Sequence, residues 1–101
     1  MNVISKRTLV QFYEKNPTAK IALEVWHADV RKSEWESPDQ IKRLYASASF
    51  LHDNRVVFNI KGNEYRLVVS VAYRFQAIYV KFIGTHAEYD LIDAETVEME
   101  S

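Results

Sequence analysis

Alternation of apolar and polar side chains is the strongest pattern in this chain, and it dominates residues 55–84. Val56, Phe58 and Ile60 occupy every second position, which places them on one face of an extended strand. The same period of two recurs in residues 64–73 and 77–84. The pattern therefore predicts three strands, which span residues 55–61, 64–73 and 77–84.

Short turn sequences separate the three predicted strands. Gly62-Asn63 follows the first strand, and both residue types tolerate the positive φ that a tight hairpin needs. Arg74-Phe75-Gln76 separates the second strand from the third. Strands joined by such short turns pair antiparallel, so we expect a three-stranded meander.

Apolar residues before the meander recur at helical spacing. Residues 1–4 are predicted as an edge strand, and Ser5, Asn16-Pro17 and Ser37-Pro38 as helix starts. The predicted helices run to Glu14 or Lys15, to about Lys32 and to near Tyr45, and residues 46–54 form a loop. We expect an α+β fold with the N-terminal helices on one face of a small antiparallel sheet, its other face open.

The exposed face of the predicted sheet carries mostly cationic and polar side chains. If the alternation continues without a bulge, this face presents Asn59, Lys61, Arg66, Ser70, Arg74, Tyr79 and Lys81. One interpretation is an ordinary solvated face. The other is a surface that binds phosphates through Arg and Lys and stacks a base on Tyr, which the excess of positive charge favours.

Composition sets the limits of this interpretation. A chain of 101 residues with 48% hydrophobic residues is expected to form one domain, residues 1–101, with a single core. There is no apolar run of membrane-spanning length and no signal-peptide pattern, so neither is expected. The absence of Cys excludes disulfides and thiolate metal sites and fits a reducing cytoplasm.

Charge is distributed unevenly along the chain. The formal net charge is −1, but residues 88–101 contain six of the 14 acidic residues and no Lys or Arg. Residues 1–87 therefore hold 13 basic and eight acidic residues, a net charge of +5. This asymmetry suggests a polyanionic partner for the body, with an acidic tail from about residue 94 that is either solvated and flexible or folded back across the body.

The candidate chemistry lies directly after the last predicted strand. Thr85 and Glu88 form a capping-box pattern, so a short C-terminal helix is expected to begin at His86. Tyr89 then shares the first turn with His86. His exchanges protons near neutral pH, and cations stabilise a phosphorane, so His86, Tyr89, Arg66 and Arg74 are predicted as catalytic residues for RNA phosphodiester cleavage. The predicted RNA-binding residues are Lys61, Lys81, Asn59 and Tyr79.

Simpler interpretations exist for the three His residues and for Trp35. The residues alone favour His86 as a helix-start residue without a catalytic task. A metal site of His86 with Glu88 and Asp90 is disfavoured, because side chains two apart on a helix diverge and no second His is nearby. His27 and His52 are interpreted as structural or surface residues, and Trp35 as a packing residue in preference to a base-stacking platform.

Three sequence motifs resemble the HigB family of RelE-like type II toxins: residues 57–63 (VFNIKGN), 65–67 (YRL) and 84–90 (GTHAEYD). The resemblance extends over nearly the whole chain. It implies a RelE-like fold and an mRNA interferase that cleaves messenger RNA in the A site of the small ribosomal subunit, without a metal or small-molecule cofactor. It also implies a HigA-type helix-turn-helix antitoxin as partner; the absence of a membrane association is expected from the lack of a spanning segment alone.

Two features of the sequence depart from the family pattern. Glu64 stands where a basic residue is common in the family, and the acidic tail lowers the net charge. Either feature would weaken affinity for RNA without abolishing catalysis.

Two other functions remain open besides the nuclease. The first is a non-catalytic RNA- or ribosome-binding protein that uses the same cationic face. The second is a small domain whose polar sheet face binds only protein.

Overall fold

The computed structural model describes residues 1–99. Within this range none of the helices has the length and apolar character needed to cross a bilayer. Two single 3₁₀ turns, Pro17–Ala19 and Tyr73–Phe75, accompany the regular elements. In chain order those elements are β1 (Asn2–Ile4), α1 (Lys6–Lys15), α2 (Lys20–Lys32), α3 (Pro38–Leu44), β2 (Ser49–Phe50), β3 (Arg55–Ile60), β4 (Tyr65–Ala72), β5 (Ala77–Thr85) and α4 (His86–Tyr89).

The strands form a single sheet in the order β1-β5-β4-β3-β2. The α+β class and the antiparallel meander of β3, β4 and β5 are confirmed. The sheet is mixed, however, because the edge strand β1 runs parallel to β5. Strand β2, which pairs with β3, lies in the segment predicted as loop. Apolar patterns predict that a strand forms but not the direction in which an edge strand pairs.

Helices α1 and α3 begin directly after Ser5 and Ser37, as the sequence predicts, whereas Asn16-Pro17 starts a 3₁₀ turn and α2 begins only at Lys20. Ser5 has a left-handed φ of 78° and its side chain makes no capping hydrogen bond. The Asn16 side chain instead donates to the Phe12 carbonyl, closing the end of α1. Gln40 accepts from the Glu36 backbone N–H at 2.7 Å, so the predicted capping box at α3 is absent.

The hairpin between β3 and β4 also differs in detail from its prediction. Positive φ values occur at Lys61 and Gly62, at 53° and 63°, and Asn63 is not among the positive-φ residues. The left-handed conformation is therefore taken one residue earlier than expected, and the turn still reverses the chain.

Aromatic side chains fix the helical layer to the sheet. Trp26 of α2 contacts Phe58 of β3 edge to face, with ring centroids 5.5 Å apart. Tyr45 contacts Phe58 from the other side at 5.2 Å and donates to Asp29 at 2.7 Å. Trp35 is buried against Tyr45, as its interpretation as a packing residue predicts.

The other two structural candidates occupy different environments. His27 is half-buried between α1 and α2, where burial and then the charges of Lys6 and Arg31 lower its pKa. A neutral imidazole is therefore favoured at this position. His52 is exposed in the loop before β3.

A β-bulge changes the alternation in β5. Val69 is opposite Val80 and Val68 is opposite Phe82, so Lys81 is an extra residue in β5. After this bulge Phe82 lies on the face away from the helices, and Ile83 enters the core with 6% exposure. Unbroken alternation along 77–84 predicts Phe82 on the same face as Ile78 and Val80, and Ile83 on the opposite face with Tyr79 and Lys81, so the prediction is wrong for Phe82 and Ile83.

The face away from the helices is not fully open, because the C-terminal segment, residues 91–99, lies across it. Arg55 is only 7% exposed and donates to the carbonyls of Ala94 and Val97 at 3.1 and 2.7 Å. Glu98 accepts hydrogen bonds from Arg55 and Lys81. The expectation of an open sheet face is thus corrected for the middle of the sheet.

Two phenylalanines provide a matched test of the core. Phe58→Ala removes a ring that is 1% exposed and should lower the free energy of unfolding by about 3–5 kcal/mol. Phe75→Ala removes a ring that is 75% exposed and should change it by no more than about 0.5 kcal/mol. Urea unfolding followed by far-UV circular dichroism measures both. Equal losses in the two variants would contradict the assigned core.

Candidate active site

The candidate site lies where β4 and β5 meet helix α4. The capping box predicted for this helix is confirmed: Thr85 Oγ1 accepts from the Glu88 N–H at 3.1 Å, and Glu88 Oε1 accepts from the Thr85 N–H at 2.8 Å. The His86 N–H donates to the Glu64 carbonyl at 3.0 Å. These backbone contacts fix α4 to the end of β5 and to the β3–β4 turn.

Arg66 and Tyr89 form the centre of the site. The Arg66 Cζ atom lies 5.9 Å from the centroid of the Tyr89 ring, within the range of a cation–π contact. Arg66 donates to both the backbone carbonyl and the side-chain oxygen of Asn63, at 3.0 and 3.1 Å. These two hydrogen bonds hold the guanidinium beside the phenol ring.

Phe82 is part of the site although the sequence pattern places it in the core. Its ring centroid lies 6.4 Å from that of Tyr89, with 54° between the ring planes. Gly84, directly opposite Arg66, makes room for this ring: a Cβ atom on Gly84 would lie 2.6 Å from Phe82 Cζ. No signal in the alternation could have revealed this contact, because it depends on the bulge at Lys81.

His86 faces Asp90 one helical turn further on. His86 Nε2 and Asp90 Oδ2 are 3.8 Å apart, and the two side chains are 55% and 60% exposed. At this separation the contact is between charges or dipoles and is too long for a hydrogen bond. The sequence suggests Asp90 only as a metal ligand, so its position beside the imidazole is a new element of the site.

The predicted RNA-binding residues fall into two groups. Asn59 pairs with Arg66 across the strands, and Lys61 lies in the adjoining turn with its Nζ 3.6 Å from Glu64 Oε2. Lys81 lies further along β5, where its Nζ is 2.8 Å from Glu98 and 6.0 Å from the Tyr79 ring centroid. The C-terminal segment therefore contacts the second group.

Arg74 is not brought together with the other predicted catalytic residues. It lies in the turn after β4, whereas Arg66 lies at the start of that strand. At strand spacing, roughly 25 Å separates the two residues. Arg74 instead lines an open groove of about 600 Å³ with residues of β1 and the end of α2.

Within residues 1–99, no three His, Asp or Glu side chains cluster closely enough to hold a metal ion. The chemical groups available at the site are thus the guanidinium of Arg66, the imidazole of His86, the phenol of Tyr89 and the carboxylate of Asp90. This set can bind an anion and can exchange protons with it.

A small α+β domain that brings Arg66, His86 and Tyr89 together at one end of its sheet fits a toxin class defined by a family model. The model, HigB_toxin, describes the RelE-like toxic component of a toxin-antitoxin system and matches residues 19–92. The chain belongs to this family, as the sequence resemblance predicts.

Individual relatives agree with the family assignment. The mRNA interferase toxin HigB of Escherichia coli K12 is 32% identical over 96 residues, covering 93% of this chain and 92% of the relative. The mRNA interferase HigB of Shigella flexneri matches equally well. The mRNA interferase HigB of Escherichia coli O6:H1 is 25% identical over 92 residues, covering 89% of each chain.

The packing of Phe82 over Gly84 can be tested with a double-mutant cycle. Gly84→Ala places a methyl group against the Phe82 ring and should lower the free energy of unfolding by about 1–3 kcal/mol. In a Phe82→Ala background the same substitution should cost less, with a coupling above about 0.5 kcal/mol. Urea unfolding of the four proteins measures the coupling.

Gly62→Ala is the control for this cycle. Gly62 has a φ of 63°, and a methyl group added there would meet no atom within 4 Å, so its cost comes from backbone strain alone. That cost should be the same with Phe or Ala at position 82. An additive result for Gly84 would show that Phe82 does not cover it.

Proposed function

We propose that this protein is an mRNA interferase, a cytoplasmic endoribonuclease that cleaves translated messenger RNA on the ribosome and thereby arrests growth. The placement of Arg66, His86 and Tyr89 at one end of the sheet carries this proposal. The names of the relatives support it, since they describe mRNA interferases. Its inhibitor would be an antitoxin of the HigA helix-turn-helix type.

Cleavage of RNA needs three contributions that these side chains provide. The ribose 2′-OH loses a proton as it attacks phosphorus, and the leaving 5′-oxygen gains one as its bond to phosphorus breaks. His86 and Tyr89 share these two transfers. Arg66 stabilises the negative charge of the pentavalent phosphorus, because its guanidinium is already oriented by Asn63. The products are a 2′,3′-cyclic phosphate and a free 5′-hydroxyl.

Asp90 is proposed as a positioning residue for His86. A carboxylate facing Nε2 favours one orientation of the imidazole ring and leaves Nδ1 directed elsewhere. Both side chains are more than half exposed, so the free protein offers an open surface in place of an enclosed pocket. An open site of this kind supports a requirement for the ribosome, which would hold the RNA against it.

The proton-transfer roles of His86 and Tyr89 predict large rate effects. His86→Ala and Tyr89→Phe should each slow single-turnover cleavage on the ribosome by about 10²- to 10⁴-fold, the usual contribution of a positioned acid or base. Affinity for the ribosome should change little. Rapid-quench measurement of a labelled messenger gives the rate.

His52→Ala is the matched control, because His52 is an exposed imidazole in a loop outside the site. Its cleavage rate should equal that of the parent protein. Rates within about threefold of the parent for both His86→Ala and Tyr89→Phe would remove the two residues from the mechanism. The protein would then act by positioning and charge stabilisation.

The geometry separates the two arginines that the sequence groups together. Arg66→Ala should lower the cleavage rate by at least about 10²-fold, because it removes the cation beside Tyr89. Arg74→Ala should lower it far less, since that side chain lies at the opposite end of β4. Growth arrest on induction and single-turnover cleavage measure both. An equal loss in the two variants would contradict a single site at α4.

A further inference from the structure

The carboxylate of Glu98 joins two cations that come from separate strands of the sheet. Its two oxygens accept hydrogen bonds from different partners, Oε1 from Arg55 at 2.9 Å and Oε2 from Lys81 at 2.8 Å. Arg55 belongs to β3 and Lys81 to β5, with β4 between them. The two cations therefore converge on one point above the sheet, and an oxyanion occupies that point.

This arrangement resembles the way in which proteins bind a phosphate group. A phosphodiester presents two oxygens that share one negative charge, as a carboxylate does, and Arg and Lys are the side chains that bind it. The bulge at Lys81 is part of the β5 segment that leads to Gly84 and α4. The oxyanion position thus lies roughly 10 Å along the strand from the Arg66–Tyr89 centre.

The C-terminal segment does not need Glu98 for its attachment. The Ala94 and Val97 carbonyls hold it to Arg55 through the other guanidinium nitrogen, Nη1. Glu98 is 60% exposed, so its carboxylate can be replaced by another anion without opening the core. Among the ion pairs of residues 1–99, Glu98 supplies the one carboxylate of the segment that meets a cation.

The ionisation of Glu98 agrees with this role. The hydrogen bond from Lys81, followed by the charges of Lys81 and Arg55, lowers its pKa from the ordinary value. The carboxylate is therefore charged at neutral pH and neutralises Lys81 there.

We propose that Arg55 and Lys81 form a binding site for a phosphate of RNA, and that Glu98 occupies this site within the free protein. The Glu98 carboxylate then competes with RNA for this position, while the Ala94 and Val97 carbonyls remain bound to Arg55. The choice of RNA as the ligand rests on the proposed function. An RNA strand bound at Arg66 and Tyr89 would place a neighbouring phosphate at Lys81 when the Glu98 carboxylate moves away.

The test compares two isosteric substitutions in the full-length protein, Glu98→Gln and Glu95→Gln. Both remove one negative charge from the same segment, but only Glu98→Gln frees Lys81. The probe is a fluorescent single-stranded 2′-O-methyl RNA, which lacks the attacking hydroxyl and cannot be cleaved. We expect Glu98→Gln to bind it about two- to fivefold more tightly, the range of an exposed ion pair.

The salt dependence of binding gives a second, sharper readout. Each additional cation that contacts a phosphate of a single strand should steepen the slope of log K against log salt by about 0.7. Glu98→Gln should therefore show a slope steeper by about that amount. Glu95→Gln should keep the parental slope, and Lys81→Gln should remove the effect of Glu98→Gln.

Each outcome has a defined meaning. Equal changes in the Glu98→Gln and Glu95→Gln proteins would show an effect of net charge only and overturn the proposal. Unchanged binding, or no binding by any of the variants, would leave the Arg55–Glu98–Lys81 contacts purely structural and also overturn it. Tighter binding by Glu98→Gln without cleavage of natural RNA would contradict the proposed nuclease while retaining the phosphate site.

Discussion

The register shift between β4 and β5 determines which side chains reach the candidate site. Without the extra residue at Lys81, Phe82 would point into the core and Ile83 would point away from it. The bulge reverses both, and it also places Gly84 directly opposite Arg66 on the outer face. One local change of pairing therefore places Phe82 beside Tyr89, and it places Gly84 where it leaves space for the Phe82 ring.

The sequence predicted the strands and the start of α4, but it did not predict the bulge. Alternation predicted the three meander strands, and the Thr85–Glu88 spacing predicted the start of α4, because both signals are local. Val80, Lys81 and Phe82 continue the same alternation, but Phe82 and Ile83 are both apolar, so the pattern does not decide which of them faces the core. Arg55 likewise gives no sign of its burial, which depends on a segment about forty residues later in the chain. The resemblance to HigB toxins indicated the family but not this geometry.

In this chain of net charge −1, carboxylates pair with some of the cations on the sheet and not with others. Acidic side chains accompany Lys61, Lys81 and Arg55 in residues 1–99, at Glu64 and Glu98. Arg66 differs from them, because its partners in this range are the neutral oxygens of Asn63 and the carbonyl of Tyr65. Its charge is oriented but not neutralised. The cation beside Tyr89 thus has no carboxylate partner in residues 1–99, unlike Lys61, Lys81 and Arg55.

The position of α4 is fixed by backbone groups and by the side chains of Thr85 and Glu88, and not by the side chains of His86 or Tyr89. Helix α4 has only four residues, too few to be stable by itself. Its position is fixed by the Thr85–Glu88 capping box and by the hydrogen bond from the His86 N–H to the Glu64 carbonyl. Neither interaction uses the imidazole of His86 or the hydroxyl of Tyr89. The helix is thus held in place without these two groups, so both remain available for the proton transfers proposed for them.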